Sequence, residues 1–345
     1  MDESGESHRA LAAAGCEVIV AKPGTDRAAL AALVCGADAL LGATFRHGLI
    51  DRDFLRISDS LRIVSKYTIG VDDVDLEAAN ELGILVTHCP TEANWGGVAE
   101  GTIAFMLTLL KRIRERDRHV KSGGWREPPF YGTYLGARAD GYPGVTVGIV
   151  GLGRVGARVA ALLAPWRLRV LACDPYVDAE RFARHGAARV DLPTLLREAD
   201  VVSLHCNLTS ETRNLIDRAA LASMKPTAVL INTARGALVD LGALCDALDE
   251  DRLGAAALDV LAEEPPPANA RILAFGDRVL LSPHMIAANH GGTLGAAIPW
   301  ATDATLAALR GDVPLYVYNA EAIEKWRARF GGRALVSGAP RESDR

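Results

Sequence analysis

"TVGIVGLGRVGARVA", residues 146–160, decides the fold. It opens on a short apolar run of strand character and ends on a helical pattern, with three glycines between them: Gly151, Gly153 and Gly156. The spacing G-x-G-x-x-G is weak on its own. Between a strand and a helix it has the context that a dinucleotide phosphate loop requires. Each glycine then has its own reason: Gly151 for the tight turn, Gly153 for close approach of the backbone to a pyrophosphate, Gly156 for packing of helix on strand. The helix start adds unpaired N–H groups and positive dipole potential.

The next strand supplies a check. "RLRVLACDPY" ends on Asp174, 18 residues past Gly156, near the ~20 at which a carboxylate takes the ribose hydroxyls. An NADP site would place an arginine and a small residue there, so the pattern reads as NAD. Working outward, "VVSLHC", "AVLINTA", "AAALDV" and "VLLSPH" are further strands with helical stretches between them. From Val145 to about Pro283 the alternation has the size of two βαβαβ halves. Upstream, "CEVIVA" (16–21), "ADALLG" (37–42), "LRIVSKY" (61–67) and "GILVTH" (83–88) read as strands, with "DRAALAALV" and "DLEAANEL" as helices. Strand–helix alternation of this kind implies parallel, doubly wound sheets.

One long helix is expected over Gly97–Lys121, its mixed-charge second half a solvated face. The loop after it, "SGGWREPPFYGTYLGARADGYPG", is rich in Gly, Pro and aromatics and reads as an arm against a second subunit. "GGTLGAAIPWATDATLAALRGD" reads as a helix containing a proline, and the polar, Arg-rich tail from Ala320 to Arg345 is expected to fray.

Bulk properties exclude several classes. The 345 residues suffice for two domains, the hydrophobic fraction is 49% and the formal net charge is −5. No basic field invites nucleic acid or an anionic membrane, and no apolar run is long enough to span a bilayer. The polar, acidic start "MDESGESHRA" is not a signal peptide, so a cytoplasmic protein is expected. The six cysteines show no C-x-x-C spacing. They read as small buried hydrophobes, with neither a metal site nor a disulfide framework.

Eight segments, in order, resemble the D-isomer-specific 2-hydroxyacid dehydrogenases: "GVDDVDLEAANELGILV", "GVAEGTIAFMLTLLKR", "TVGIVGLGRVGARVA", "ACDPY", "VVSLHCNLTSETRNLI", "MKPTAVLINTARGALVD", "GAAALDVLAEEPP" and "LLSPHM". The resemblance spans roughly residues 15–318. It implies an α/β protein of two doubly wound parallel-sheet domains. A discontinuous flavodoxin-like substrate domain (1–93 and 289–318) would surround an inserted NAD-binding Rossmann domain (94–288), with 319–345 a tail. The family's first strand is not found ahead of "HRALAAAG". Either a start lies upstream of Met1 or the sheet is incomplete; a lost central strand would leave backbone groups unpaired, which favours the first.

The resemblance also implies roles. Arg235 in "NTARG", Glu264 before Pro265 and His284 in "SPH" would be catalytic. Arg154 and Val155 would join the glycines at the pyrophosphate, and His205, Thr209, Thr212 and Thr233 would line the cofactor cleft. Asp259 would meet the nicotinamide end, and the backbone at Ile69 and Gly70 would receive the substrate carboxylate. The chemistry agrees. Reducing a 2-keto acid needs a proton donor beside the carbonyl, which suits histidine. A carboxylate neighbour raises its pKa, and a permanently charged fork suits the substrate carboxylate. A small-molecule 2-keto or 2-hydroxy acid, NAD and a second copy of the chain are the expected partners. A non-enzymatic NAD(H) reader of the same fold is the other function this pattern allows.

Four departures from the family pattern cluster around the cleft: Thr68 where a glycine is usual, Trp95 with Gly96–Gly97, Asn207 where proline is common, and a longer turn in "PHMIAANHG".

Overall fold

The computed structural model describes residues 5–22, 24–42, 50–126, 130–290 and 293–336. They form two compact units, one from the residues up to Asn94 with those from Asn289 onward, the other from Trp95 to Ala288.

The first unit holds a parallel sheet of β1 (Ala39–Gly42), β2 (Ile63–Lys66) and β3 (Leu85–Thr87), in that order. Leu40 pairs Val64, which pairs Val86, in register. Both faces are covered, so even the polar Ser65, Lys66 and Thr87 of these strands are buried. Val64 and Val86 face a cluster with Phe54, Leu61 and Ala78. Ile63 and Leu85 face Ala304, Ala308 and Trp326. The helix Thr293–Arg310 carries Pro299, as expected, and Ser65 Oγ donates to its Ala301 carbonyl at 2.9 Å.

Two expectations for this unit fail. "CEVIVA" forms no strand: among the described residues it joins no ladder, and Ile19 is 60% exposed. A short apolar run supplies strand character, but a strand also needs a neighbour to take its N–H and C=O groups. Nor does the tail fray from Ala320. A helix covers Ile323–Phe330, its Trp326 is fully buried, and the indole N–H donates to the Arg62 carbonyl at 2.9 Å. Two aromatic residues spaced four apart anchor an otherwise charged segment. Residues 337–345 of the expected tail lie outside the described residues.

The second unit is a seven-stranded parallel sheet. Its strands are β4 (Thr146–Val150), β5 (Arg169–Cys173), β6 (Ala188–Arg189), β7 (Val201–Leu204), β8 (Val229–Asn232), β9 (Ala255–Leu258) and β10 (Val279–Leu281). The order β10-β9-β8-β7-β4-β5-β6 reverses direction between β4 and β7, the switch point at which open α/β sheets bind ligands beyond their carboxyl ends. The long helix expected over 97–121 is two helices, Glu92–Leu110 and Ile113–Lys121. Arg112 separates them at φ +52°, a left-handed conformation that no α-helix continues through. Its guanidinium is held there by Glu115 and the Phe130 ring. Of the six unpaired cysteines, Cys89 and Cys245 are buried, but Cys35 is exposed and does not fit the reading as a core residue.

Candidate active site

The loop after β4 lies at the switch point. Gly151 N donates to the Cys173 carbonyl at 2.9 Å, and His205 N donates to the Val150 carbonyl at 2.7 Å. Both neighbouring strand ends are thereby tied to the loop. The three glycines have three different physical causes. Gly151 sits at φ +91°, and a Cβ there would come 2.7 Å from Cys206 N. At Gly156 a Cβ would come 2.1 Å from the Gly151 carbonyl oxygen. At Gly153 the protein asks for no glycine: φ is −72° and nothing lies within 4 Å of where a Cβ would stand. That open position fits a group arriving from outside. It begins the helix Arg154–Leu163, which has no side-chain cap, so the N–H groups of Arg154, Val155 and Gly156 remain for an anion.

Asp174 ends β5 as expected. Its Oδ2 accepts from Leu152 N at 2.8 Å and its Oδ1 from Tyr176 N at 3.0 Å, which aims a half-exposed carboxylate beside the loop. His205 Nε2 lies 2.8 Å from Ser203 Oγ, and burial holds its imidazole down at about 3, hence neutral. Thr209 and Thr212 spend their hydroxyls on their own turn: Thr212 Oγ1 donates to the Asn207 carbonyl at 2.7 Å and Thr209 N donates to Thr212 Oγ1 at 2.7 Å. Thr233 is buried, its hydroxyl 3.0 Å from that of Thr102, so the side chain faces the interior.

The three residues expected to be catalytic follow three adjacent strands. Asn232, the last residue of β8, donates to the Arg235 carbonyl at 2.9 Å and accepts from Ala234 N at 3.1 Å, shaping the turn that presents Arg235. Glu264 follows β9; its Oε1 accepts from Leu261 N at 2.8 Å. Its Oε2 stands 2.8 Å from His284 Nδ1, beyond β10. His284 sits at φ +57°, a conformation that costs a non-glycine residue roughly 1–2 kcal/mol. Asp259 holds it there. The Asp259 carboxylate, 3% exposed, accepts from Met285 N at 3.0 Å and Ile286 N at 3.1 Å, and its carbonyl accepts from His284 N at 2.8 Å. Asp259 thus positions the histidine turn, a task the sequence reading did not assign to it.

The electrostatics follow from this packing. The hydrogen bond to Glu264 raises the His284 imidazole above its ordinary value, against burial and the nearby Arg235, which both lower it. Burial pushes the Glu264 carboxyl up, but hydrogen bonds from His284 and the Leu261 amide outweigh it and leave Glu264 below the usual glutamate range. Both shifts favour an ion pair near neutrality, and Arg235 is close enough to act on both groups.

In the first unit, Ile69 and Gly70 follow the carboxyl end of β2. Thr68 Oγ1 donates to the Gly70 carbonyl at 2.7 Å and His88 Nδ1 lies 3.1 Å from the Ile69 carbonyl. The Thr68 hydroxyl thus closes the turn from within. Among the described residues neither the Ile69 nor the Gly70 N–H reaches an acceptor.

Residues 103–286 match the family described as D-isomer specific 2-hydroxyacid dehydrogenase, NAD binding domain. The chain belongs to this family. It is 39% identical to the glyoxylate reductase of Aeropyrum pernix over 298 residues, 84% of each chain. It is 36% identical to the D-3-phosphoglycerate dehydrogenase of Archaeoglobus fulgidus over 254 residues, 74% of this chain and 46% of the relative. It therefore spans about half the length of the phosphoglycerate dehydrogenases it matches. Among solved structures, the D-lactate dehydrogenase of Aquifex aeolicus with NAD and lactic acid superposes with a TM-score of 0.78 at 26% identity, over 90% of this chain and 94% of that one. The sheet carrying the glycine loop lies wholly within the residues that match the family's NAD-binding domain.

Two features of that domain escaped the sequence reading. Arg181 donates to two carbonyls of the glycine loop, and the Tyr176 hydroxyl donates to Glu211 at 2.5 Å. Neither has a spacing signal, because both pairings depend on how separate loops meet.

Gly153→Ala and Gly156→Ala separate cofactor from fold. Gly153→Ala is expected to leave the melting temperature unchanged while NADH binding, followed by fluorescence, weakens about tenfold. Gly156→Ala is expected to cost roughly 1–3 kcal/mol of stability, and unchanged stability there would contradict the packing described.

Proposed function

We propose that the protein is an NAD-dependent oxidoreductase that interconverts a 2-keto acid and a D-2-hydroxy acid. The observation that carries this reading is the 2.8 Å pairing of His284 Nδ1 with Glu264, with Arg235 on the adjoining strand end. Asp174 at the ribose position supports NAD over NADP. Bound NADH supplies the hydride.

The chain's own groups supply the rest. With Nδ1 engaged by Glu264, Nε2 is the ring nitrogen left to give a proton to the carbonyl oxygen as it becomes a hydroxyl. Glu264 keeps that proton available at neutral pH and fixes the ring. The Arg235 guanidinium holds the substrate carboxylate and polarises the carbonyl. In the first unit, the N–H groups of Ile69 and Gly70 are available among the described residues to receive a carboxylate. In the oxidative direction His284 takes the hydroxyl proton back.

We also read a homodimer. Ile113, Val120, Trp125, Tyr131 and Tyr134 are exposed along one stretch of chain, Trp125 at 70% and Tyr131 at 79%. Clustered exposed apolar and aromatic groups mark an interaction surface. Light scattering is expected to give twice the 36.6 kDa chain mass; a monomer at micromolar concentration would remove this reading.

The catalytic reading is tested with a panel of 2-keto acids and NADH. Arg235→Ala and His284→Ala are each expected to lower kcat/KM by about 10²–10⁴. Reduction needs protonated His284, so kcat/KM falls as pH rises through its raised pKa, and Glu264→Gln moves that fall to lower pH. Full activity in either alanine variant, or a profile unmoved by Glu264→Gln, would overturn the assignment.

A further inference from the structure

A trans peptide unit points its C=O and N–H in opposite directions. Whatever grips the carbonyls of a phosphate loop therefore decides where its amides face. In the loop after β4, Arg181 Nε donates to the Leu152 carbonyl at 2.6 Å and Arg181 Nη2 to the Gly153 carbonyl at 3.0 Å. The Leu152 carbonyl shares its peptide unit with the Gly153 N–H, and the Gly153 carbonyl shares its own with the Arg154 N–H. The Gly153 carbonyl is also fixed by the first helical bond, from Ala157 N at 3.1 Å. The Leu152 carbonyl accepts from no backbone N–H among the described residues; Arg181 sets it.

Arg181 is itself held. The helix Ala179–Arg184 is capped by Asp178, whose Oδ1 accepts from Arg181 N at 2.9 Å. Among the described residues its guanidinium joins no ion pair. A permanently charged fork spent on two neutral carbonyls, in a chain of net charge −5, sets loop shape and adds positive charge beside a phosphate position. Asp174 completes the arrangement by taking the Leu152 N–H at 2.8 Å. One short segment after β5 thus grips Leu152 at both its N–H and its C=O.

We propose that Arg181 is a positioning residue for NAD: it turns the N–H groups of Gly153 and Arg154 outward, toward the pyrophosphate, into the space that Gly153 leaves open. Lysine can reach only one of the two carbonyls, and methionine neither.

The test is equilibrium binding to the full chain, independent of turnover. NADH is titrated by fluorescence into the parent, Arg181→Met and Arg181→Lys, with ADP-ribose and adenosine as competitors and melting temperature measured without cofactor. Arg181→Met is expected to weaken NADH and ADP-ribose about tenfold or more. Adenosine, which lacks the pyrophosphate, is expected to be unaffected. Arg181→Lys is expected to recover part of the loss. An NADH Kd within twofold of the parent in Arg181→Met would overturn the proposal. So would equal weakening of ADP-ribose and adenosine, which would make Arg181 a support of the whole fold.

Discussion

A carboxylate almost closed off from solvent, that of Asp259, holds the turn that carries His284 in place. Burying a charged group is costly unless its hydrogen bonds are made good, and Asp259 makes them with the amides of Met285 and Ile286. In return, the backbone at His284 is fixed in a left-handed conformation that an unsupported turn would leave. The Asp259 N–H donates to the Asn232 carbonyl at 3.0 Å, and the Asn232 side chain shapes the Arg235 turn. The ends of β8, β9 and β10 thus form one hydrogen-bonded frame. The guanidinium, the acid and the imidazole are outgrowths of that frame.

The same economy governs the cofactor end of the sheet. In a parallel sheet every strand delivers its carboxyl end to the same side, so groups far apart in sequence arrive together without long loops. β4 delivers the glycine loop, β5 delivers Asp174 and, seven residues later, Arg181, and β7 delivers His205. Two glycines of the loop answer to the protein's own packing, and the third, Gly153, to space the protein leaves empty. That division separates the glycines that the fold needs from the one that it does not.

Much of this was legible in the residues because it is local. The strand–glycine–helix order around Gly151, the strand ending in Asp174 and the alternation through "AVLINTA", "AAALDV" and "VLLSPH" depend on neighbours in sequence. What stayed hidden depends on neighbours in space. "CEVIVA" has an apolar run of strand character and, among the described residues, no ladder. The helix break at Arg112 comes from Glu115 and Phe130 rather than from glycine or proline. Trp326 looks like part of a polar tail until Ile63 and Leu85 are seen beside it. The amides that the Asp259 carboxylate takes, those of Met285 and Ile286, lie 26 and 27 residues on, and only the fold shows them. The partner of the Thr233 hydroxyl, Thr102, lies 131 residues away and leaves no mark on the local pattern.

The reading of this molecule as a reductase comes down to the charge carried by one ring. An NMR titration of the His284 imidazole, assigned by comparison with His284→Gln, measures it directly. The structure predicts an apparent pKa above the ordinary 6.5, dropping when Glu264 is replaced by glutamine. A histidine that titrates at or below 6.5 in the parent protein, and does not respond to that replacement, would contradict the account.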